Sequence, residues 1–137
     1  MMALLDTSVL AAVASGRDTL HAEAVRALSD DAGSRLIAPV TVLAETMCLI
    51  RARYGVDAQR SFWDGFFAAG IEVMPLDDAL LTAAREIERR YEDAGYGFVD
   101  ATLLAACEAL RCARVLSFDR RLAAYRPSFA TALEVLP

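Results

Sequence analysis

Short apolar runs alternate along this chain with longer segments whose apolar residues recur at helical spacing. The runs at residues 3–5, 36–38, 71–75 and 115–118 are too short for helices and read as buried strands, with residues 133–136 as an added edge strand. Residues 18–28 read as a helix with Leu20, Ala24 and Ala27 or Leu28 on one face. A longer helix runs from about Val40 to Tyr54, with Pro39 at its start, Leu43, Met47, Ile50 and Tyr54 as its stripe, and Gly55 at its end. Residues 58–69 form another. Asp77-Asp78 open a helix reaching about Asp93, with Leu80, Ala84, Ile87 and Tyr91 inward. Gly95-Tyr96-Gly97 breaks the pattern before a helix over 98–112, and a short helix follows Asp119. Strands alternating with helices imply an α/β fold, a three-layer α/β/α sandwich around a mostly parallel sheet of about four to five strands.

With 137 residues, 56% of them hydrophobic and 24% charged, the chain forms one domain spanning 1–137. Nineteen acidic against fourteen basic residues give a net charge of −5, which argues against nucleic-acid binding by phosphate neutralisation alone. It leaves open a site in which a metal ion supplies the positive charge. All fourteen basic residues are Arg. The absence of Lys excludes P-loop, Schiff-base and Ser-Lys chemistry. A single histidine, His21, excludes a histidine-rich zinc site and is expected to be structural or on the surface. Cys48, Cys107 and Cys112 lack C-x-x-C spacing and read as reduced core thiols. Residues 1–15 lack a basic start, and Asp6 interrupts their apolar run, so they do not read as a secretory signal. No uncharged stretch reaches the roughly 18 apolar residues of a membrane span. The expected location is cytoplasmic.

Most acidic residues sit at helix ends or beside Arg on solvated faces. Four do not. Asp6 is the first charged residue and is followed only at Arg17 by the next; Glu45 is the only charge between Leu36 and Ile50, and Asp100 the only one between Ala94 and Cys107. A lone carboxylate in a buried segment costs several kcal/mol unless something neutralises it, and no lone Arg occupies a comparably apolar segment. Asp6 and Asp119 both stand at the carboxyl end of a predicted strand, where parallel α/β sheets place their ligands. Three of the four also have an ordinary reading: Asp6 as a turn residue, Asp100 as a helix cap, Asp119 as a surface cap or ion-pair partner. Glu45, inside a helix, has no capping role. Carboxylates without His or Cys are the donor set of Mg²⁺ or Mn²⁺.

Four segments carry a family resemblance, in order and over the whole chain: Leu4-Leu5-Asp6-Thr7-Ser8-Val9-Leu10, Pro39-Val40-Thr41-Val42-Leu43-Ala44-Glu45, Phe98-Val99-Asp100-Ala101-Thr102-Leu103-Leu104-Ala105 and Leu116-Ser117-Phe118-Asp119-Arg120-Arg121-Leu122. With them the chain resembles PIN-domain ribonucleases, most of all the VapC-type toxins of bacterial toxin–antitoxin pairs. The resemblance implies Asp6, Glu45 and Asp100 as the acidic triad holding one or two Mg²⁺ or Mn²⁺ ions, with Asp119 as a fourth acid. It implies Thr7, Ser8 and Ser117 as supporting hydroxyls. The implied activity is metal-dependent endoribonuclease chemistry, water attacking in line to leave 5′-phosphate and 3′-hydroxyl ends. A cognate antitoxin and a homodimer are implied as well. One departure from the family pattern is Gly97, which replaces a hydroxyl residue three positions before Asp100.

Residues 62–67 hold four of the chain's eleven aromatics. Phe62 and Phe66 share one helical face, Trp63 and Phe67 the next, and together they are candidates for an antitoxin groove as well as for core. Arg120 and Arg121 are candidates for RNA phosphate contacts. Competing classes fit less well. Response-regulator receivers and haloacid-dehalogenase-type phosphatases both need a Lys, and no Gly-x-Ser-x-Gly elbow exists for a serine hydrolase. A catalytically inactive PIN-like scaffold that only binds a protein partner is the remaining alternative.

Overall fold

A computed structural model describes all 137 residues. Five strands, β1 (Met2–Leu5), β2 (Arg35–Pro39), β3 (Glu72–Met74), β4 (Arg114–Leu116) and β5 (Glu134–Leu136), form a single sheet in the order β3-β2-β1-β4-β5, every pair parallel. The six helices are α1 (Thr7–Val13), α2 (His21–Asp30), α3 (Val40–Tyr54), α4 (Val56–Ala68), α5 (Asp78–Arg90) and α6 (Phe98–Leu110). One-turn 3-10 helices occupy Glu92–Ala94 and Arg120–Ala124.

The strands read as unbroken apolar runs because both sheet faces are covered. Successive strand residues point to opposite faces. Leu4, Ile37 and Val115 therefore join the core beneath α5 and α6, which includes Leu80, Ala84, Ile87, Leu103 and Leu104. Ala3, Leu5, Ala38 and Leu116 join the opposite core with Val9, Leu10, Val42 and Phe66. Two cores flanking one sheet make the three layers expected of the alternating pattern.

The strand and helix positions follow the hydrophobic pattern to within a few residues, with one omission. Helix α1 starts directly after Asp6, at residues whose Asp-Thr-Ser sequence reads as a turn. The same residue types cap helices, and Asp6 takes the extended conformation of an N-cap (φ −99°, ψ 159°). The long helix opened by Asp77 ends at Arg90, short of Asp93, and a 3-10 turn leads to Gly95, whose φ of +75° suits glycine. Gly55 (φ +92°) separates α3 from α4 with no intervening loop.

Three expectations about burial are corrected. Cys48 is exposed, although Cys107 and Cys112 are buried as expected, and burial pushes the Cys107 thiol well above its ordinary range. The buried face of α3 is Val42, Thr46 and Ile50, one step round from the Leu43–Met47 stripe, so Glu45 and Cys48 face outward. Arginines do enter protected positions. Arg114 donates to both oxygens of Asp31 (3.0 and 3.1 Å), and the Asp31 side chain is only 4% exposed. His21 is structural, its Nδ1 2.9 Å from the Ala12 carbonyl oxygen.

Candidate active site

The chain builds β1, β2 and β3 outward in one direction, then returns to lay β4 on the other side of β1. The switch point of the sheet therefore lies between the carboxyl ends of β1 and β4, where ligands of parallel sheets bind. Asp6 follows β1 and Ser117 follows β4. The Asp6 N–H donates to the Leu116 carbonyl (3.0 Å), which holds the two ends side by side.

Asp6 is 4% exposed and is the hub of the site. Its Oδ2 accepts from Ser117 Oγ (2.6 Å) and Ser8 Oγ (3.1 Å). Each hydroxyl also accepts a backbone N–H, Ser8 from Phe118 (3.0 Å) and Ser117 from Asp119 (2.9 Å). With Ser8 Oγ also 3.2 Å from Ser117 Oγ, the two hydroxyls and Asp6 Oδ2 form one network that orients the carboxyl group and leaves Oδ1 without a side-chain donor. Burial pushes the Asp6 pKa above the ordinary carboxylate range. Hydrogen bonds from Ser117, the Thr7 N–H and Ser8 oppose this shift, while nearby Asp100 reinforces it. Beside it, Thr7 Oγ1 is buried without any hydrogen-bond partner. A buried hydroxyl left unpaired is uncommon in a folded protein.

Asp100 and Glu45 come from the helices on either side. Asp100 sits in the first turn of α6 and accepts the Gly97 N–H (3.0 Å). Gly97 is itself the N-cap and has no side chain to accept a helix N–H; the bond from its own N–H to Asp100 is the half of a capping box that remains. Thr41 and Thr102 meet at 2.6 Å, and Thr102 donates to the Val99 carbonyl (2.8 Å), so Thr41 is the donor between helices. That bond joins α3 four residues before Glu45 to α6 two residues after Asp100. Glu45 is exposed at the rim.

Asp119 begins the 3-10 turn after β4 and is gripped by Arg121. Arg121 Nη2 lies 2.6 Å from Asp119 Oδ2, and Nε lies 3.0 Å from Oδ1. The same Nη2 donates to Asp100 Oδ2 (3.2 Å), and Nη1 donates to the Gly95 carbonyl (2.6 Å). The Tyr96 hydroxyl pins the arrangement by donating to the Arg121 carbonyl (2.8 Å). Arg121 accordingly holds the Asp119 carboxyl below its usual range, and the guanidinium is raised in turn. The segment around Arg121 therefore does supply a cation to the acids.

These residues line one open cavity of about 420 Å³, with Asp6, Glu45, Asp100 and Asp119 all on its walls alongside Thr7 and Ser8. Ser117 supports it from behind, fully buried. Asp18 and Arg53 also line it. Neither stands out in the sequence: Asp18 reads as a helix-end residue and does accept the Leu20 N–H (2.8 Å), and Arg53 lies in an ordinary solvated helix end. As placed, no three carboxylate, His or Cys side chains are close enough to share one metal ion, and Arg121 bridges two of the acids instead. A larger apolar cavity, about 580 Å³ between α5 and α6, holds none of the four acids.

Arg120 does not belong to the site. It turns to the last strand and donates to the Val135 (3.3 Å) and Pro137 (2.6 Å) carbonyls. The aromatic cluster of α4 divides by face. Phe66 is core and Phe62 half-buried beside it, whereas Trp63 (50%) and Phe67 (59%) are exposed.

A parallel sheet with carboxylates gathered at its switch point is the architecture of the PIN domain. The PIN family model matches residues 3–126, and the chain belongs to that family. Within it, the chain is similar to the VapC proteins. It is 27% identical over 135 residues to Ribonuclease VapC26 of Mycobacterium tuberculosis, covering 98% of this chain and 99% of that protein. Among solved structures it is similar to VapC20 of Mycobacterium tuberculosis, a sarcin–ricin loop cleaving toxin, with a TM-score of 0.83 at 26% identity over 94% of this chain and 98% of that one. The fold is shared further with VapBC2 from Rickettsia felis bound to a DNA fragment from their promoter, with a TM-score of 0.75 at 16% identity over 100% of both chains.

Proposed function

We propose that this protein is a divalent-metal-dependent endoribonuclease and the toxin half of a toxin–antitoxin pair. The observation that carries this reading is the meeting of Asp6, Glu45, Asp100 and Asp119 on one cavity. Likeness to a ribonuclease and to a sarcin–ricin loop cleaving toxin points the same way.

The donor set fits a hard cation: oxygen donors without His or Cys, with Asp6 Oδ1 unclaimed by other side chains. Asp6, Asp100 and Glu45 would hold Mg²⁺ or Mn²⁺, with Asp119 in support. Bound there, the ion supplies the Lewis acidity that activates water and neutralises charge on the scissile phosphate. The protein's own part is positional. Ser8 and Ser117 keep the Asp6 carboxyl group in one orientation. The Thr41–Thr102 bond holds the helices bearing Glu45 and Asp100 at a set separation. Arg121 is the cation nearest the acids and is placed to meet a phosphate oxygen once it leaves Asp100. The cavity holds no histidine or lysine to act as general base, and none is needed where the attacking water is activated by charge.

RNA is the proposed substrate and the cytoplasm the proposed location; no helix is long and apolar enough to cross a membrane. An antitoxin is the proposed partner, seated on the exposed Trp63–Phe67 face of α4, with a homodimer as the proposed assembly. The inactive-scaffold alternative is favoured by one feature, the Arg121 bridge that already neutralises two of the acids. Antitoxin-free protein incubated with total cellular RNA and Mn²⁺, beside Asp100→Asn, separates the two. New 5′-phosphate ends made by the wild type alone support the nuclease. Folded, metal-binding protein that makes no cuts in any RNA supports the scaffold.

A further inference from the structure

We propose that Arg17, Arg53 and Tyr54 form a subsite beside the carboxylate cavity for one nucleotide flanking the scissile bond, its phosphate on the arginines and its base on the tyrosine. The inference rests on the nuclease reading for the identity of the polyanion, and on four observations of its own. First, the two spaces adjoin, with Arg53 on the wall between them. Arg53 lines the acidic cavity and also an adjoining hollow of about 310 Å³ lined by Arg17, Tyr54 and Ser15. Second, these guanidinium groups are free: both residues are exposed and neither side chain has an ion-pair or hydrogen-bond partner. Third, the other arginines near the acids are engaged. Arg121 is held by Asp100 and Asp119, and Arg120 by the carbonyls of the last strand. Fourth, the chain carries −5 and the cavity wall is acidic, so a polyanion needs cationic contacts next to the reacting phosphate to approach it.

The backbone holds these groups in place. Gly55, at φ +92°, ends α3 directly after Tyr54, so Arg53 and Tyr54 occupy the last turn of a helix whose earlier turns carry Glu45 and the Thr41 contact to α6. Arg17 approaches from the loop after α1, the helix that Asp6 caps. Tyr54 is half-buried and lines the hollow, which leaves part of it open to stacking, a sequence-tolerant contact. A single nucleotide bridging the arginines and the acids fits the chemistry better than a free phosphate ion, because both cavities share a wall.

The test is binding of a short labelled single-stranded RNA of random sequence by the Asp100→Asn protein with Mn²⁺, read by anisotropy over a series of salt concentrations. Adding Arg17→Gln and Arg53→Gln together is expected to weaken binding about tenfold or more. It should also flatten the slope of log K against log salt by about 0.7 for each phosphate the arginines no longer neutralise. Tyr54→Leu is expected to weaken binding about fivefold or more with the slope unaltered. Arg89→Gln, which lines neither cavity, is expected to change nothing. In the wild-type background, the paired arginine substitution should raise KM and leave kcat unaltered. Affinity and slope equal to those of Asp100→Asn alone would overturn the subsite, as would an Asp100→Asn protein that binds no RNA. The two readings fail separately: cleavage by the wild type with binding indifferent to the arginines removes only the subsite. Loss of binding in the arginine variant of a chain that never cleaves removes only the nuclease.

Discussion

Replacing Arg121 with Gln tests how the carboxylates are kept together. Arg121 pairs with Asp119 at 2.6 Å and with Asp100 at 3.2 Å; its own side chain is 51% exposed, while theirs are 22% and 17%. Exposed ion pairs contribute roughly 0.2–1 kcal/mol each, and the forked grip on Asp119 lies at the favourable end. The two pairs together therefore stabilise the metal-free protein by about 1–2 kcal/mol. Arg121→Gln is expected to lower the melting temperature in chelator by about 3–8 °C for a domain of this size. On the proposed reading the same contacts oppose metal binding, because Asp100 must release Arg121 before it serves as a ligand. Removing the Asp100 pair, worth at most about 1 kcal/mol, should tighten Mn²⁺ affinity by up to about fivefold. Differential scanning calorimetry in EDTA measures the first effect and isothermal titration with Mn²⁺ the second. Unchanged stability together with unchanged or weaker Mn²⁺ binding would refute the reasoning, since a resident counter-ion must affect both. Arg121→Lys, which keeps the charge and loses the fork, should fall between wild type and Gln on both measurements.

Asp6→Asn should stabilise the metal-free protein at pH 7. The folded-state pKa of Asp6 is raised, chiefly by burial, so the native state binds its proton more readily than the unfolded chain and loses stability as pH rises through the raised pKa. The advantage of Asn should vanish below the unfolded carboxylate value; denaturant titrations across that range that show no convergence would contradict it. Arg114→Gln strands the 4%-exposed Asp31 carboxylate and should cost about 3 kcal/mol in a urea titration. Phe66→Ala should cost about 3–4 kcal/mol. Trp63→Ser with Phe67→Ser should change stability by no more than about 0.5 kcal/mol while abolishing capture of the antitoxin; retained capture would remove α4 as its seat.

Much of this architecture was legible in the one-dimensional pattern because the physics behind it is local. A strand covered on both faces must be apolar at every position, so β1, β2 and β4 stand out as short runs, and Leu4 and Leu5 can enter opposite cores without any change of sequence character. Asp6, Asp100 and Asp119 stand out for the converse reason: each interrupts or closes an apolar segment, and a charge there needs a purpose. Helix α1 was not legible, because Asp-Thr-Ser serves turns and helix caps equally and only the packing of Val9 and Leu10 against the sheet decides between them. Nor was the environment of Glu45. Its apolar neighbours suggest burial, yet the face of α3 that turns inward is chosen by the contacts of Val42, Thr46 and Ile50, and Glu45 is left at a cavity rim.

Charge pairing between distant segments depended on the tertiary structure, whereas Asp119 and Arg121 are neighbours in sequence. Arg114 and Asp31 are 83 positions apart, and Arg121 and Asp100 are 21 apart. Arg17 and Arg53 reach one hollow from a loop and from a separate helix. By itself, the amino-acid sequence determined which elements form and which side chains are chemically unusual, since propensity and hydrophobic period act over a few residues. Which cations meet the distant acids Asp31 and Asp100 was decided only when the chain laid β4 on the far side of β1. Coulomb and hydrogen-bond partners are selected by distances of a few ångströms, and those distances do not exist until the sheet order is set.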